Sequence, residues 1–202
     1  MKRRTPRAGR QSARPGSLRI IGGKWRGRRL PFPALPGLRP TSDRVRETLF
    51  NWLRGDIEGA RCLDLFAGSG ALGLEALSRG AAETVFVEQT RAACAAISAS
   101  LLRLECDRGE VRCVDAADYL AQPARSFDVV FLDPPFRSGY LAELCTLLGR
   151  RGWLAPTAAL YVESEFDLDG LSLPAGWDWH RQKRAGQVAY RLARRTPQGQ
   201  EK

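Results

Sequence analysis

Residues 61–73 have the sequence RCLDLFAGSGALG, a short apolar strand that runs into a glycine-rich loop. Gly68, Gly70 and Gly73 have the spacing G-x-G-x-x-G, and the apolar residues that follow suit a helix. A strand, a glycine loop and a helix in this order are typical of a nucleotide-binding α/β unit. The motif alone does not decide which cofactor binds, so a dinucleotide oxidoreductase has to be considered at this point.

Strand and helix patterns alternate from residue 61 onward. Apolar runs predict strands over 61–65, 84–88, 110–114, 127–132 and 158–163. Helical spacing predicts helices over 69–79, 90–104, 116–121 and 140–149, and residues 176–193 suggest a final antiparallel hairpin. This alternation predicts an α/β fold with a doubly wound, Rossmann-like parallel sheet, whose ligands bind at the carboxyl ends of the strands.

Carboxylates stand at the ends of successive predicted strands. Asp64 precedes Gly68 by four residues, where it would repel a pyrophosphate but attract a cofactor ammonium group. Glu88 is placed for ribose hydroxyls, and Asp115 for an exocyclic adenine amine. Each acid could instead cap a helix. The series as a whole favours S-adenosylmethionine over a nicotinamide cofactor.

The fourth strand ends at Asp133-Pro134-Pro135-Phe136. The two prolines stop the strand because neither can donate a backbone hydrogen bond. The resulting loop offers a carboxylate, free backbone carbonyls and an aromatic face, which together suit a planar amine and the base that carries it. An ordinary Pro-Pro turn is the alternative. Combined with the glycine loop, these four residues indicate the catalytic site of an amino-group methyltransferase.

The net charge of +10 is unevenly distributed. Residues 1–46 contain 14 Lys and Arg and one acid, a net charge of +13, whereas residues 47–202 contain 18 Lys and Arg and 21 acids, a net charge of −3. Such asymmetry indicates a polyanionic partner, most simply nucleic acid. We expect a disordered basic tail (1–17), an RNA-binding hairpin and helix (18–56), a methyltransferase domain (57–194) and a polar tail (195–202).

Several classes of protein are disfavoured by composition. No run approaches the roughly 18 apolar residues of a membrane span, and no apolar stretch follows the basic N-terminus as in a secretory signal. Five cysteines without a C-x-x-C pair, and one histidine, favour free and mostly buried thiols over a zinc site. We therefore expect a cytoplasmic protein with no metal and no membrane partner.

The sequence resembles the bacterial RsmD family. The resemblance extends over about residues 18–193 and is most specific in RIIGGKWRGR (19–28) and RPTSDRVRETLFNWL (39–53). It implies a class I methyltransferase that transfers a methyl group from S-adenosylmethionine to N2 of a guanine in small-subunit (16S) ribosomal RNA. The substrate would be that RNA or a small-subunit assembly particle, and the enzyme is expected to be a monomer.

The resemblance also implies roles for individual residues. The cofactor would be held by Asp64, Phe66, Ala67, Gly68, Ser69, Gly70, Glu88, Asp115 and Ala116. The guanine would be held by Asp133, Pro134, Pro135 and Phe136, and RNA would be met by Lys24, Arg26, Arg28, Arg39, Arg44, Arg46 and Asn51. The same loop would also suit adenine N6 in RNA or DNA, or a protein glutamine. A nicotinamide-dependent oxidoreductase and a non-catalytic RNA-binding module are the remote alternatives.

Overall fold

The computed structural model describes residues 16–35, 38, 40–135, 140–150, 152–165, 171 and 173–196. Its strands are β1 (Gly16–Arg19), β2 (Arg29–Phe32), β3 (Arg61–Asp64), β4 (Glu83–Val87), β5 (Gly109–Arg112), β6 (Phe127–Leu132), β7 (Leu154–Glu165), β8 (Trp177–Ala185) and β9 (Val188–Arg195). Its helices are α1 (Asp43–Trp52), α2 (Ala71–Ser78), α3 (Arg91–Arg103), α4 (Ala116–Leu120) and α5 (Tyr140–Arg150).

Seven strands form one sheet in the order β5-β4-β3-β6-β7-β9-β8. Strands β3 to β7 pair in parallel, and β9 pairs antiparallel with both β7 and β8. The chain order reverses between β3 and β6, and ligands of doubly wound sheets bind outside the strand ends at such a switch point. The predicted Rossmann-like α/β class is confirmed, and the switch point lies between Asp64 and Asp133.

Most predicted elements are present, with differences at their ends. Strand β7 begins at Leu154 rather than residue 158, and β9 continues to Arg195, which we had placed in the polar tail. Gly16 and Ser17, expected in the disordered tail, lie in β1, where Gly16 faces Phe32 of β2. Strand pairing, which a single-segment pattern does not show, accounts for these differences. Residues 1–15 and 197–202 lie outside the described residues.

The N-terminal hairpin shares a core with the sheet domain. Leu18, Ile20 and Trp25 are buried together with Leu77 of α2 and Ile97 of α3. Helix α1 is packed in the same way, since its apolar face joins residues of the central strands. The N-terminal segment is therefore held against the cofactor-binding unit.

Glu75 of α2 fixes the hairpin at one point. This side chain has no exposed surface, and its two oxygens accept the backbone N–H groups of Ile21 and Gly22, each at 2.8 Å. The guanidinium groups of Arg79 and Arg46 also bind it, at 2.7 and 3.4 Å. Backbone donors and cations together surround the buried carboxylate, which ties the hairpin and α1 to the helix that follows the glycine loop.

The remaining sequence-based expectations concern thiols, metals and membranes. Cys62, Cys94 and Cys145 are buried free thiols as expected, but Cys113 is exposed. Within the described ranges, no group of three or more His, Cys, Asp or Glu side chains is arranged to hold a metal ion. In the same part of the chain, no helix combines the length and the apolar character that a membrane crossing needs.

Candidate active site

A cavity of about 870 Å³ lies at the carboxyl ends of the central strands. It brings together most of the residues that the sequence assigned to cofactor and substrate. The predicted residues that line it are Asp64, Phe66, Ala67, Gly68, Ser69, Glu88, Asp115, Ala116, Asp133, Pro134 and Pro135. Gly70 lies directly behind this wall, as the residue that precedes α2, and Phe136 lies outside the described residues. A single cleft therefore adjoins both predicted subsites.

The glycine loop has a backbone that requires glycine. Gly68 and Gly70 have φ angles of 51° and 78°, in the left-handed region that side chains disfavour. At Gly73 a Cβ atom would lie 2.2 Å from the ring of Phe86, so the first turn of α2 could not pack against β4. The loop thus passes close under the cleft and directs the helix away from it.

Asp64 is a buried carboxylate beneath this loop. Only 2% of its surface is exposed, and Oδ2 accepts the backbone N–H of Gly73 at 3.0 Å. Burial raises the pKa of Asp64 to about 7, and the Gly73 hydrogen bond opposes that rise. A cation arriving in the cleft would stabilise the ionised form, so the site suits an ammonium group.

Glu88 and Asp115 each have two roles. Glu88 accepts the backbone N–H of Gly68 at 2.9 Å and that of Thr90 at 2.7 Å, and it lines the cleft. Asp115 accepts the N–H of Ala117 at 2.8 Å as the cap of α4 and also lines the cleft. A carboxylate has about four acceptor positions, so both side chains can cap backbone groups and still accept from ligand hydroxyl or amine groups.

Asp133 lies across the cleft from the glycine loop. Burial raises its pKa to about 6, and a hydrogen bond from Thr41 Oγ1 to Asp133 Oδ2 (3.3 Å) opposes the rise. Thr41 precedes α1, so the N-terminal segment contributes directly to this site, through a residue that the sequence analysis had not assigned to it. Pro134 is buried and Pro135 is exposed. The loop holds Asp133 at the strand end, as the two prolines predicted.

Glu163 of β7 is a cleft residue that the sequence analysis missed. It is 7% exposed, lines the cavity next to Asp133, and accepts a hydrogen bond from the Tyr161 hydroxyl at 3.0 Å. Burial, and secondly the negative charge of Asp133, raise its pKa to about 8. The available signal was one acid inside the apolar strand 158–163, which we had interpreted only as a strand.

The residues predicted to meet RNA are divided by the structure. Lys24, Arg26 and Arg28 are exposed in the β1–β2 connection, and Arg44 and Asn51 are exposed on α1. Asn51 is seven positions after Arg44, about two helical turns, so the two lie on one face of the helix. Arg39 lies outside the described residues.

Arg46 does not fit the expectation that it contacts RNA. Its side chain is 1% exposed, and its guanidinium group binds Asp43 (2.6 Å), Glu75 (3.4 Å) and the backbone oxygen of Arg19 (2.8 Å). Helical spacing places Arg46 on the inner face of α1 beside the buried Val45, whereas Arg44 lies on the outer face. We therefore assign Arg46 to the anchoring of the N-terminal segment.

A second basic surface lies on the β8–β9 hairpin, which the sequence analysis did not connect with the site. Arg181, Lys183 and Arg184 are exposed on β8, the edge strand of the sheet. Ala185 and Val188 at the tip of the same hairpin line the cleft. Positive charge is therefore exposed on the hairpin whose tip lines the cavity, as well as on the N-terminal segment.

Comparison with known proteins was made for the sequence and for the fold. The model of the family Conserved hypothetical protein 95 matches residues 18–194. The ribosomal RNA small subunit methyltransferase D of Escherichia coli K12 is 54% identical over 185 residues, which are 92% of this chain and 93% of that protein.

Among solved structures, the Escherichia coli protein yhhF is 54% identical, covers 91% of this chain and 100% of its own, and superimposes with a TM-score of 0.83. The 16S rRNA N2 G1207 methyltransferase of T. thermophilus, solved with AdoMet and guanosine, has a TM-score of 0.68. It is 23% identical and covers 91% of this chain and 50% of its own, so it supports the fold alone.

Proposed function

Because the chain belongs to the Conserved hypothetical protein 95 family, we propose that it transfers a methyl group from S-adenosylmethionine to the exocyclic N2 amine of a guanine in small-subunit (16S) ribosomal RNA. One observation carries this proposal. A single cleft joins the glycine loop and its acids to the Asp133-Pro134-Pro135 loop at the adjacent strand end. A methyl donor and an amine acceptor can therefore meet there without a second domain.

The cofactor half of the cleft fits S-adenosylmethionine. Asp64 would face the ammonium group, Glu88 the ribose hydroxyls, and Asp115 with Ala116 the adenine. The bound cofactor supplies an electrophilic methyl group on a sulfonium ion. Asp64 favours this cofactor over a dinucleotide, because a buried carboxylate beside the glycine loop would repel a pyrophosphate.

The guanine amine is a poor nucleophile, because its lone pair is delocalised into the ring. The substrate half of the cleft would increase its reactivity. Asp133 and the Pro134 carbonyl would accept hydrogen bonds from the two N–H groups of N2. These contacts would localise the lone pair and direct it at the methyl group. This is catalysis by orientation and electrostatics. Asp133 would take the excess proton late, and the adjacent Phe136 would stack on a base that has left its helix.

RNA would approach over exposed basic and polar side chains of the N-terminal segment. The N-terminal set is Lys24, Arg26, Arg28, Arg44 and Asn51, with Arg39 nearby in sequence. We propose that the enzyme acts as a monomer in the cytoplasm, on 16S ribosomal RNA or a small-subunit assembly particle. Its own basic surfaces then provide the phosphate contacts.

The test is mass spectrometry of nucleosides from small-subunit RNA. A strain that lacks this protein should lose one N2-methylguanosine. Expression of the wild type should restore it, and expression of Asp133→Ala should not. An unchanged nucleoside profile, or the loss of N6-methyladenosine instead, would contradict the proposal. Calorimetry should detect binding of S-adenosylmethionine and none of NAD.

A further inference from the structure

We propose that Glu163 recognises the target base by accepting the N1–H of guanine, beside the N2 amine held by Asp133. This inference rests on the proposed function and specifies how its substrate base is distinguished. Glu163 would then bind substrate directly and determine which base is methylated. Its support is the position of Glu163 in the sheet, its surroundings, and the chemistry of the guanine edge.

Strand pairing places Glu163 beside Asp133. In the parallel pair β6–β7, Leu132 is opposite Val162, so the next residues along the two strands are Asp133 and Glu163. Side chains at paired positions of neighbouring strands lie on the same face, with the strands about 4.8 Å apart. Both side chains line the cleft. They can therefore contact adjacent atoms of one planar base.

Glu163 has few hydrogen-bond donors around it. The Tyr161 hydroxyl binds Oε2, and we find no hydrogen bond to Oε1 within the part of the chain that the structure describes. The negative charge of Asp133 acts on Glu163, and Tyr190 lies opposite on β9. A carboxylate that is 93% buried with one neutral donor is costly, because its lost hydration is not replaced. A ligand that brings an N–H donor into the cleft would remove that cost.

Guanine provides such a donor at the right place. Its Watson–Crick edge has N1–H next to the N2 amine, so two adjacent carboxylates can accept from one edge. Adenine has an unprotonated N1, which is an acceptor and repels the ionised form of Glu163 that guanine N1–H stabilises. Enzymes that act on extruded bases select them through hydrogen bonds to this edge. Glu163 thus gives a physical reason why this cleft would prefer guanine N2 over adenine N6.

The test uses two bases that differ at N1. Small-subunit RNA is ligated to carry guanine or 2-aminopurine at the methylated nucleotide. Both bases have the N2 amine, but only guanine has a proton on N1. The value of kcat/KM is measured on each RNA for the wild type, Glu163→Ala and Glu163→Gln. Because each variant is compared with the wild type on the same RNA, the missing O6 of 2-aminopurine cancels.

Glu163→Ala should lower kcat/KM on guanine by about tenfold or more, the usual scale for a lost hydrogen bond to a charged group. On 2-aminopurine it should change kcat/KM by less than about threefold, because no N1–H is lost there. Glu163→Gln should shift the preference towards 2-aminopurine, since its amide can donate to N1. Affinity for S-adenosylmethionine and thermal unfolding should stay near the wild-type values in both variants.

The pH profile gives a readout that a structural role would not change. The ionised carboxylate accepts N1–H more strongly than the protonated acid does, so wild-type kcat/KM on guanine should rise with pH through the pKa of Glu163 near 8. Glu163→Gln should lose this rise and keep the one near 6 that belongs to Asp133. Equal loss on both bases, or a retained rise near 8, would overturn the inference. A wild type that is inactive on guanine RNA would overturn the proposed function as well.

Discussion

Glu75 and Glu163 are both buried glutamates, but the two regions give their carboxylates very different hydrogen-bond partners. Glu75, at the junction of the N-terminal hairpin and α2, accepts two backbone N–H groups and binds two arginines. Glu163, in the floor of the cleft, accepts one tyrosine hydroxyl and faces a cavity. In the first region the fold itself satisfies the carboxylate, whereas in the second a ligand has to complete its hydrogen bonds.

The difference shows how to distinguish a structural acid from a functional one. A buried carboxylate with cationic and backbone donors on all sides stabilises the fold, and removing it leaves those donors unpaired. A buried carboxylate beside open space opposes folding, because nothing replaces its lost hydration. Burial alone does not separate the two cases. The identity of the neighbouring groups does.

The largest effect should follow from Glu75→Ala. It removes the carboxylate that binds Arg79 and Arg46, leaving Arg46 only its pair with Asp43, and unpairs two backbone N–H groups, so the free energy of unfolding should fall by about 3–5 kcal/mol. The same substitution at Glu163 loses the Tyr161 bond but also removes a poorly satisfied buried carboxylate, so its net effect on stability should be much smaller. Urea denaturation of both variants measures the difference. Equal destabilisation would remove the contrast between the two regions.

Asp133→Ala should have the next largest effect, on turnover. Loss of a preorganised group that acts on the reacting atoms lowers kcat by about 10²- to 10³-fold. Affinity for S-adenosylmethionine should stay near normal, because the carboxylate is assigned to the guanine amine. Single-turnover assays and calorimetry separate these quantities. If cofactor affinity and activity fell together, Asp133 would have to be assigned to cofactor binding instead of to the guanine amine.

Glu88→Ala should have a moderate effect on cofactor binding. The variant loses the proposed ribose contact and the hydrogen bond from Gly68 N–H, so affinity for S-adenosylmethionine should fall by about 1–3 kcal/mol. Calorimetry measures this directly. Unchanged affinity in Glu88→Ala would place the ribose elsewhere.

The sequence predicted the cleft-lining acids beside the glycine loop better than the polar groups around Asp133. Asp64, Glu88 and Asp115 were predictable because each ends a strand or closely follows one, and parallel strands bring their carboxyl ends to one edge. Glu163 and Thr41 were not, since each is defined by a partner distant in sequence. Arg46 shows the same limit, because its burial depends on Glu75 of another helix. Local patterns place elements, but pairing and docking decide which polar groups share a pocket.

The smallest effects should come from the basic surface, and two neighbouring arginines of α1 provide the contrast. Arg44 is exposed, so Arg44→Ala should keep normal stability and reduce the salt dependence of RNA binding by about one phosphate contact. Arg46 is buried and does not belong to that surface, so Arg46→Ala should instead lower stability on the scale of Glu75→Ala, about 3–5 kcal/mol, because Glu75 would lose part of its neutralising charge.

Deletion of residues 1–15, which contain six Lys and Arg and no acid, should flatten the same salt dependence further without affecting kcat. Filter binding of small-subunit RNA across a range of salt concentrations gives the slopes, and urea denaturation gives the stabilities. An unchanged slope for both Arg44→Ala and the deletion would shift the phosphate contacts to the β8–β9 hairpin. Lys183→Ala, on the exposed edge of that hairpin, would then be the variant that changes the slope.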